Sequence, residues 1–215
     1  IFMIGCFTYE FKFNITTMSE EKQEYTLSIY TENQVGIIGR IAIMFSRRKI
    51  NLESLNTSPS EIKNIYRFTL VVIETETVVR NLVRQLEKIV DVMKVFYNTN
   101  DEIIWQQMAL YKVPTSVIMK DVKVERLLRE YGANAVVIRE DYTVFEATGQ
   151  REEINKLVKE LDKYGLIEFV RSSRIAIIKS SEGVHKRVLE MEKNDPTNKP
   201  INNEFLNHKS KIFQM

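Results

Sequence analysis

The feature that most constrains the fold is a pattern of helix-type and strand-type segments that occurs twice along the chain. Four segments carry apolar residues at positions i, i+3, i+4 and i+7, the spacing of a helix with one buried face. They are Ile38, Ile41, Ala42, Phe45; Val79, Leu82, Val83, Leu86; Val124, Leu127, Leu128, Tyr131; and Ile154, Leu157, Val158, Leu161. Runs of β-branched and aromatic residues, typical of strands, lie between and around them at 24–31, 50–58, 65–74, 91–99, 107–114, 134–140, 142–149 and 165–179.

The resulting order, β-α-β-β-α-β repeated once, predicts an α+β protein built from two ferredoxin-like βαββαβ domains. In this plan each domain is a four-stranded antiparallel sheet with both helices on one face. We place the domains at 24–100 and 101–180, because the strand pattern gives way to polar residues near residue 100. A unit of this size buries only about 60% of its unfolded surface, so each is expected to pack against the other or against a second chain.

The two ends of the chain lie outside this pattern. Residues 1–23 are predicted to be an N-terminal extension, and its aromatic-rich part is either an upstream continuation of the reading frame or an extra edge strand. Residues 181–215 are polar and Asn-rich after a short helical pattern at 184–193. They are predicted to form a flexible tail, with a partner-binding peptide as the alternative.

Composition argues against several classes of function. The 31 basic and 29 acidic residues give a formal charge of +2, too small a field to favour nucleic acid as a partner. The single cysteine, Cys6, cannot form an intramolecular disulfide, which fits a cytoplasmic protein. No apolar run approaches the roughly 20 residues of a membrane helix, so no membrane association is expected.

The sequence contains no recognisable catalytic or metal-binding motif. It lacks a phosphate loop, a Rossmann glycine fingerprint, zinc-ligand spacing and a nucleophile elbow, and its seven glycines are scattered. Both histidines, His185 and His208, lie in the tail without a paired carboxylate or cysteine. We therefore predict no catalytic residues and no metal site.

One junction, "TENQVGI" at 31–37, is a candidate for binding a small ligand. It leads into a helix expected at Gly36 to Arg48, whose unpaired amides near Gly36, Ile37 and Ile38 can receive a carboxylate. Asn33 offers both a donor and an acceptor to a zwitterion. Asn51 lies about 18 Å away at the far end of that helix, where it begins the next strand, so it can join Asn33 only from a neighbouring unit. Alternatively, Asn33 merely caps the helix, Gly36 relieves a turn and Asn51 starts a strand.

The residues around this junction resemble a known family. The stretch "YTLSIYTENQVGIIGRIAIMFSRRKINLESLNTSPSE", followed by "RFTLVV" and "QLEKIVDVMKV", is similar to the ACT domain of the small regulatory subunit of acetolactate synthase. The family pattern there reads ENxxG, then L/I-x-R, FSRRGxNIESL and QLxKLxDVxKV. The likeness is close over about 24–115. The remaining residues agree with the family's C-terminal domain in length and plan.

The resemblance implies a non-catalytic regulatory subunit in branched-chain amino-acid biosynthesis. Such subunits bind and stimulate a catalytic large subunit and make it sensitive to inhibition by valine, and often by isoleucine or leucine. The large subunit uses thiamine diphosphate, Mg and usually FAD, and no cofactor is expected in the small subunit. A stand-alone amino-acid-sensing ACT module that regulates another enzyme is the alternative.

The resemblance also assigns roles to particular residues. Effectors of this family bind between the ACT domains of two chains, which implies a homodimer. Asn33 and Gly36 match the effector loop, Ile37 and Ile38 the helix start, and Asn51 with Leu52 the partner side. Position 49 is Lys where the family often has Gly, so that turn is less permissive. The corresponding turn of the second domain, "KVPTSVIMKDV", lacks the ENxxG pattern, and no second effector site is predicted there.

Overall fold

The structure, a computed structural model, describes residues 21–180 apart from residues 61, 63 and 121. The first part forms one antiparallel sheet from four strands, in the spatial order β2-β3-β1-β4. These strands are β1 (Gln23–Glu32), β2 (Ser54–Pro59), β3 (Ile65–Glu74) and β4 (Val92–Thr99). Two helices, α1 (Ile37–Arg47) and α2 (Glu76–Leu86), join them and share one apolar core with the sheet.

The second part repeats this plan. Four strands form an antiparallel sheet in the order β6-β7-β5-β8. They are β5 (Ile103–Pro114), β6 (Asn134–Ile138), β7 (Tyr142–Gly149) and β8 (Glu168–Arg171). The helices are α3 (Thr115–Lys120), α4 (Val122–Glu130) and α5 (Arg151–Asp162), and a second apolar core lies between α4, α5 and the sheet. The predicted α+β fold with two ferredoxin-like units is confirmed.

The buried faces of three helices agree with the predicted spacing, whereas α1 is rotated from its predicted orientation. In α2 all four predicted residues are buried, and in α4 and α5 they are buried or packed against the second core. In α1 the buried residues are Ile37, Ile41 and Phe45, while Ile38 and Ala42 are exposed. The segment is apolar on nearly all sides, so its spacing fits two possible buried faces equally well. The predicted face, which includes Ile38 and Ala42, is wrong.

Three strand boundaries also differ from the prediction. β2 begins at Ser54 rather than at residue 50, so Asn51 lies in the loop before it and does not begin a strand. β5 begins at Ile103, directly after a single turn of 3₁₀ helix (Asn100–Glu102), where the polar run suggested a longer connection. The predicted strand 165–179 is two strands, β8 and β9 (Ile175–Ile178), because the chain breaks at Ser172 and Arg174 turns inward.

β9 pairs with the first four residues of β5, and this pairing extends the second sheet beyond the predicted four strands. β5 is long enough to hold β8 along its second half and β9 along its first. No helix in the described part of the chain is long and apolar enough to cross a membrane. The predicted extra strand within 1–17, the helical pattern at 184–193 and both histidines lie outside the described residues.

Candidate functional site

The candidate site is the four-residue loop Asn33–Gly36, which connects the end of β1 to the start of α1. The amide of Glu32 donates to the carbonyl of Asp91 at 3.0 Å, and this bond ties the loop to the turn before β4. Arg40, on the first turns of α1, forms an ion pair with Asp91. The loop is therefore fixed at both ends, and its own side chains point away from the core: Asn33 is exposed and Val35 is fully so.

Gly36 occupies the position before the first helical residue, with φ 84° and ψ 0° in the left-handed region. Residues at this position normally have an extended backbone and cap the helix with a side-chain oxygen. Glycine has no side chain, so it cannot form such a cap. A Cβ at Gly36 would meet no atom within 4 Å, so the requirement for glycine is conformational rather than steric.

The start of α1 carries backbone amides that have no acceptor in the part of the chain that the structure describes. The amide of Ile37 donates to the carbonyl of Gln34 at 3.3 Å, but within the described residues no acceptor is found for the amides of Ile38 and Gly39. No side chain caps this helix, and its first turn contains no acidic residue. No acidic residue of the helix itself therefore offsets the partial positive charge of its first turn, a condition that favours an anion.

The other predicted residues of the helix start have different surroundings. Asn33 does not cap α1, because no side-chain cap hydrogen bond exists there, and its amide group is free to meet a ligand. Ile37 is buried in the first core, so its contribution is structural. Ile38 is 47% exposed and stands on the surface beside the unpaired amides. Of the predicted set at this helix start, Asn33, Gly36 and Ile38 are thus exposed, whereas Ile37 is not.

Asn51 and Leu52 lie at the opposite end of α1, as the sequence spacing predicted. The helix is 11 residues long, about 16 Å, and separates them from Asn33. The Asn51 amide group donates to Glu53 at 3.2 Å, while Leu52 packs partly buried against the first core. Within one chain, therefore, these two residues do not join the loop.

One buried polar atom lies close to the loop in sequence. Thr31 alternates along β1 with Leu27 and Ile29, so it faces the helices, and it is fully buried. Its hydroxyl has no hydrogen-bond partner among the described residues. An unpaired buried hydroxyl costs about 1–3 kcal/mol, so the end of β1 is held at some cost in stability.

Sequence reasoning missed a second polar feature, which lies between the two units. We call it the Arg174 cluster: Arg174, Glu24, Thr26, Asn100 and Trp105. Arg174 precedes β9, and its guanidinium donates to Glu24 and Thr26 of β1 and to Asn100. A cavity of about 660 Å³ lies beside it, lined also by Arg151 and Lys179. The available signal was weak, consisting of one arginine within an apolar run and the single tryptophan of the chain.

The electrostatics of this cluster favour an ionised Glu24. Burial raises the pKa of Glu24, but hydrogen bonds from Asn100 and Arg174 and the nearby Arg151 outweigh burial and leave the pKa below its ordinary value. In the second core, burial raises the pKa of Tyr111 to about 12. Neither group has the poised pKa of an acid–base catalyst. No group of three or more His, Cys, Asp or Glu among the described residues could hold a metal ion.

Comparisons with known proteins agree with this architecture. Residues 27–94 match the model of the "AHAS small subunit-like ACT domain", and residues 106–180 match that of the "Small subunit of acetolactate synthase". The acetolactate synthase small subunit of Bacillus subtilis is 30% identical over 162 residues, covering 75% of this chain and 92% of the relative. That of Mycobacterium leprae is 30% identical over 160 residues, covering 74% and 94%.

A solved structure is similar in fold. The acetolactate synthase small subunit from Thermotoga maritima superimposes with a TM-score of 0.67 and 21% identity, over 74% of this chain and 99% of that one. At this level of identity the likeness concerns the arrangement of both units and not the chemistry of particular residues.

Proposed function

The chain belongs to the family of acetolactate synthase small subunits, and from this premise we propose that it regulates a catalytic large subunit by binding a branched-chain amino acid. In this proposal it stimulates the large subunit and confers inhibition by valine, isoleucine or leucine. The observation that carries the proposal is the start of α1, where the amides of Ile38 and Gly39 have no acceptor among the described residues and Asn33, three residues before Gly36, is exposed. A free amino acid has the two charges that such a site can satisfy.

The ligand's carboxylate accepts hydrogen bonds from the unpaired amides at the positive end of α1. The side-chain carbonyl of Asn33 accepts a hydrogen bond from the ammonium group. The exposed Ile38 supplies apolar surface for the ligand's side chain. Because one methylene in an apolar pocket is worth about 1–3 kcal/mol, we expect only modest selectivity between valine and isoleucine.

A single chain leaves this site open on one side, and we propose that a second copy closes it. Asn51 and Leu52 of the second copy would approach the loop, since in one chain they are a helix length away. This arrangement requires a homodimer through the first unit. Effector binding then favours one packing of the two chains, and the coupling free energy to the catalytic partner is typically 1–3 kcal/mol.

The chemistry itself is assigned to the large subunit. We expect thiamine diphosphate, Mg and FAD to be bound there, and the regulatory chain to act in the cytoplasm with the enzyme it controls. The similarity of the chain to small subunits over both of its units supports this division of roles.

The test is reconstitution with the catalytic large subunit from the same source. Acetolactate formation is measured for the large subunit alone, with this chain, and with each branched-chain amino acid added. Stimulation together with inhibition by at least one of the three amino acids is expected. Amino-acid binding without any effect on the large subunit would favour a stand-alone sensing module, and the absence of both would reject the proposal.

A further inference from the structure

Arg174 is almost completely buried, and its polar partners lie in the other unit of the chain. It is 1% exposed and lies between β8 and β9 of the second unit. One guanidinium nitrogen donates to the Thr26 hydroxyl and to the Asn100 side-chain carbonyl, each at 2.9 Å, and the other donates to the Glu24 carboxylate. A buried arginine is rare unless it is fully paired, so this contact fixes the position of the first unit relative to the second.

The same guanidinium lies over the ring of Trp105, 3.8 Å from its centroid. Trp105 belongs to β5, the central strand of the second sheet, and is 8% exposed. Glu24 also accepts a hydrogen bond from the Asn100 amide at 3.0 Å and lies 3.9 Å from Arg151. The cluster therefore joins the central strands of both sheets through one cation.

The first unit's partners in this cluster lie on the strand that leads to the effector loop. Glu24 and Thr26 are at the beginning of β1, and β1 ends at Glu32, where the loop starts. Between these points the strand is paired with β3 on one side and β4 on the other. The hydrogen bonds on both sides of β1 therefore form a continuous connection of about 26 Å between Glu24 and Glu32.

We propose that Arg174 is a positioning residue that couples the effector loop, Asn33–Gly36, to the second unit through its hydrogen bonds to the beginning of β1. This inference rests on the proposed function, because it concerns how binding at Asn33–Gly36 is transmitted. Effector binding draws the end of β1 toward α1, and the displacement of Glu24 and Thr26 changes the angle and distance of the guanidinium over Trp105. The second unit, which carries both Arg174 and Trp105, then changes its position relative to the first.

The first experiment uses the only tryptophan of the chain as a reporter. Valine is titrated into the full-length protein while Trp105 emission is recorded, and the binding curve is measured separately by calorimetry. We expect the emission to change with the same half-saturation point as the heat. Unchanged emission at saturating valine would overturn the proposal, because binding would then leave the Arg174 cluster undisturbed.

The second experiment compares R174K with R171K, each reconstituted with the catalytic large subunit. Lysine keeps the charge of Arg174 but cannot present several donors in a planar fork. Arg171 is three residues away and donates to Asn155 at 2.9 Å within the second unit, so R171K is the matched control. For R174K we expect valine affinity within about threefold of wild type and retained stimulation, but an at least fivefold smaller maximal inhibition. R171K should behave as wild type.

Other outcomes decide against the proposal. Equal inhibition of R174K and wild type would overturn it while leaving the proposed regulatory function intact. A parallel loss of binding, stimulation and inhibition in R174K would assign Arg174 a folding role only. In that case T26V, which preserves the shape of Thr26 but removes one acceptor of the Arg174 guanidinium, is tested instead. A T26V protein that binds valine and is inhibited as strongly as wild type completes that rejection. Wild type that binds no branched-chain amino acid would remove the premise itself.

Discussion

The two units share strand order and helix placement, yet they enter their first helix differently. In the first unit four loop residues separate β1 from α1, and the helix begins behind a left-handed glycine without a side-chain cap. In the second unit α3 begins at Thr115, directly after β5. The Thr115 hydroxyl donates to the Arg139 carbonyl at 2.7 Å and contacts the Thr143 hydroxyl at 2.9 Å. The same fold can thus enter its first helix through an exposed loop that ends in a left-handed glycine, or directly through a threonine whose side chain is hydrogen-bonded to neighbouring strands.

The largest difference between the two units is expected when a negative charge is placed at the start of α1. G36D puts a carboxylate beside the proposed position of the effector carboxylate, and repulsion between them at about 4 Å costs on the order of 2–4 kcal/mol near a surface. We expect valine affinity to fall by about 30-fold or more while stimulation of the large subunit is retained. Calorimetry and the reconstituted assay measure the two effects.

The control for this variant is G36N, which carries a neutral side chain of nearly the same size. Asparagine tolerates the left-handed conformation better than most residues, and a Cβ at this position meets no neighbour within 4 Å. A much smaller loss is therefore expected for G36N. Equal losses in both variants would show that backbone strain, and not charge, disables the site.

The second prediction concerns the residue that a partner chain is proposed to supply. N51A removes a hydrogen bond to a charged group of the ligand, worth about 2 kcal/mol, and should weaken valine binding roughly 10- to 30-fold. Asn51 is exposed and bonded only to Glu53 among the described residues, so stability should hardly change. E53A, which removes the acceptor of that local contact, serves as its control. Unchanged affinity of N51A would rule out the cross-chain arrangement.

Sequence patterns were sufficient for the general plan, whereas the left-handed backbone at Gly36 was anticipated only as the alternative that this glycine relieves a turn. They could not decide the rotation of α1, because residues 37–45 are apolar on nearly all sides and two buried stripes fit them. Nor could they show that the Ile37 amide is already paired with Gln34, which is a matter of loop geometry. Arg174 was missed for another reason: its partners Thr26 and Glu24 are 148 and 150 residues away, and no local spacing records such a contact.

The third prediction tests whether the two units are held together through the beginning of β1. The pKa of Glu24 is lowered from its ordinary value of 4.5, so its ionised form stabilises the fold above that pH and this contribution is lost as the pH falls through the lowered value. E24Q should reduce the free energy of unfolding by about 2 kcal/mol at pH 7, with the difference shrinking below about pH 4.5. Urea unfolding at several pH values measures this.

E152Q is the matched control for E24Q. Glu152 lines the same cavity but is exposed at the start of α5, so its replacement should leave the free energy of unfolding within about 0.5 kcal/mol of wild type. An E24Q protein that differs from wild type by the same amount at pH 3 and pH 7 would contradict the assignment of an ionised, stabilising Glu24.

The fourth prediction addresses the closed helix start of the second unit. T115V keeps the shape of Thr115 but removes its partly buried hydrogen bond to the Arg139 carbonyl and its buried contact with Thr143. We expect a loss of about 1.5 kcal/mol in the free energy of unfolding, with no change in valine affinity, because no effector site is predicted at this helix start. A change in affinity comparable to that of N51A would contradict the division of roles between the units.

The smallest expected effect concerns the opposite ends of corresponding helices. After α1, the Lys49 amide donates to Ser46 and the Ile50 amide to Phe45; after α4, Gly132 and Ala133 make the same pair of bonds. Lys49 has φ 55° and Gly132 has φ 61°, so both positions are left-handed, but only the second is glycine. The first unit therefore holds a lysine in a conformation that costs about 1–2 kcal/mol, partly offset by the lower entropy of its unfolded chain.

K49G should accordingly raise the free energy of unfolding by about 0.5–1 kcal/mol, whereas G132K should lower it by a similar amount. A Cβ at Gly132 meets no atom within 4 Å, so G132K measures conformation without a clash. Chemical denaturation of both variants, with unchanged slope, provides the comparison. A destabilised K49G would mean that the lysine side chain contributes more to this turn than its backbone conformation costs, and that the two helix ends are alike in hydrogen bonding but not in energetics.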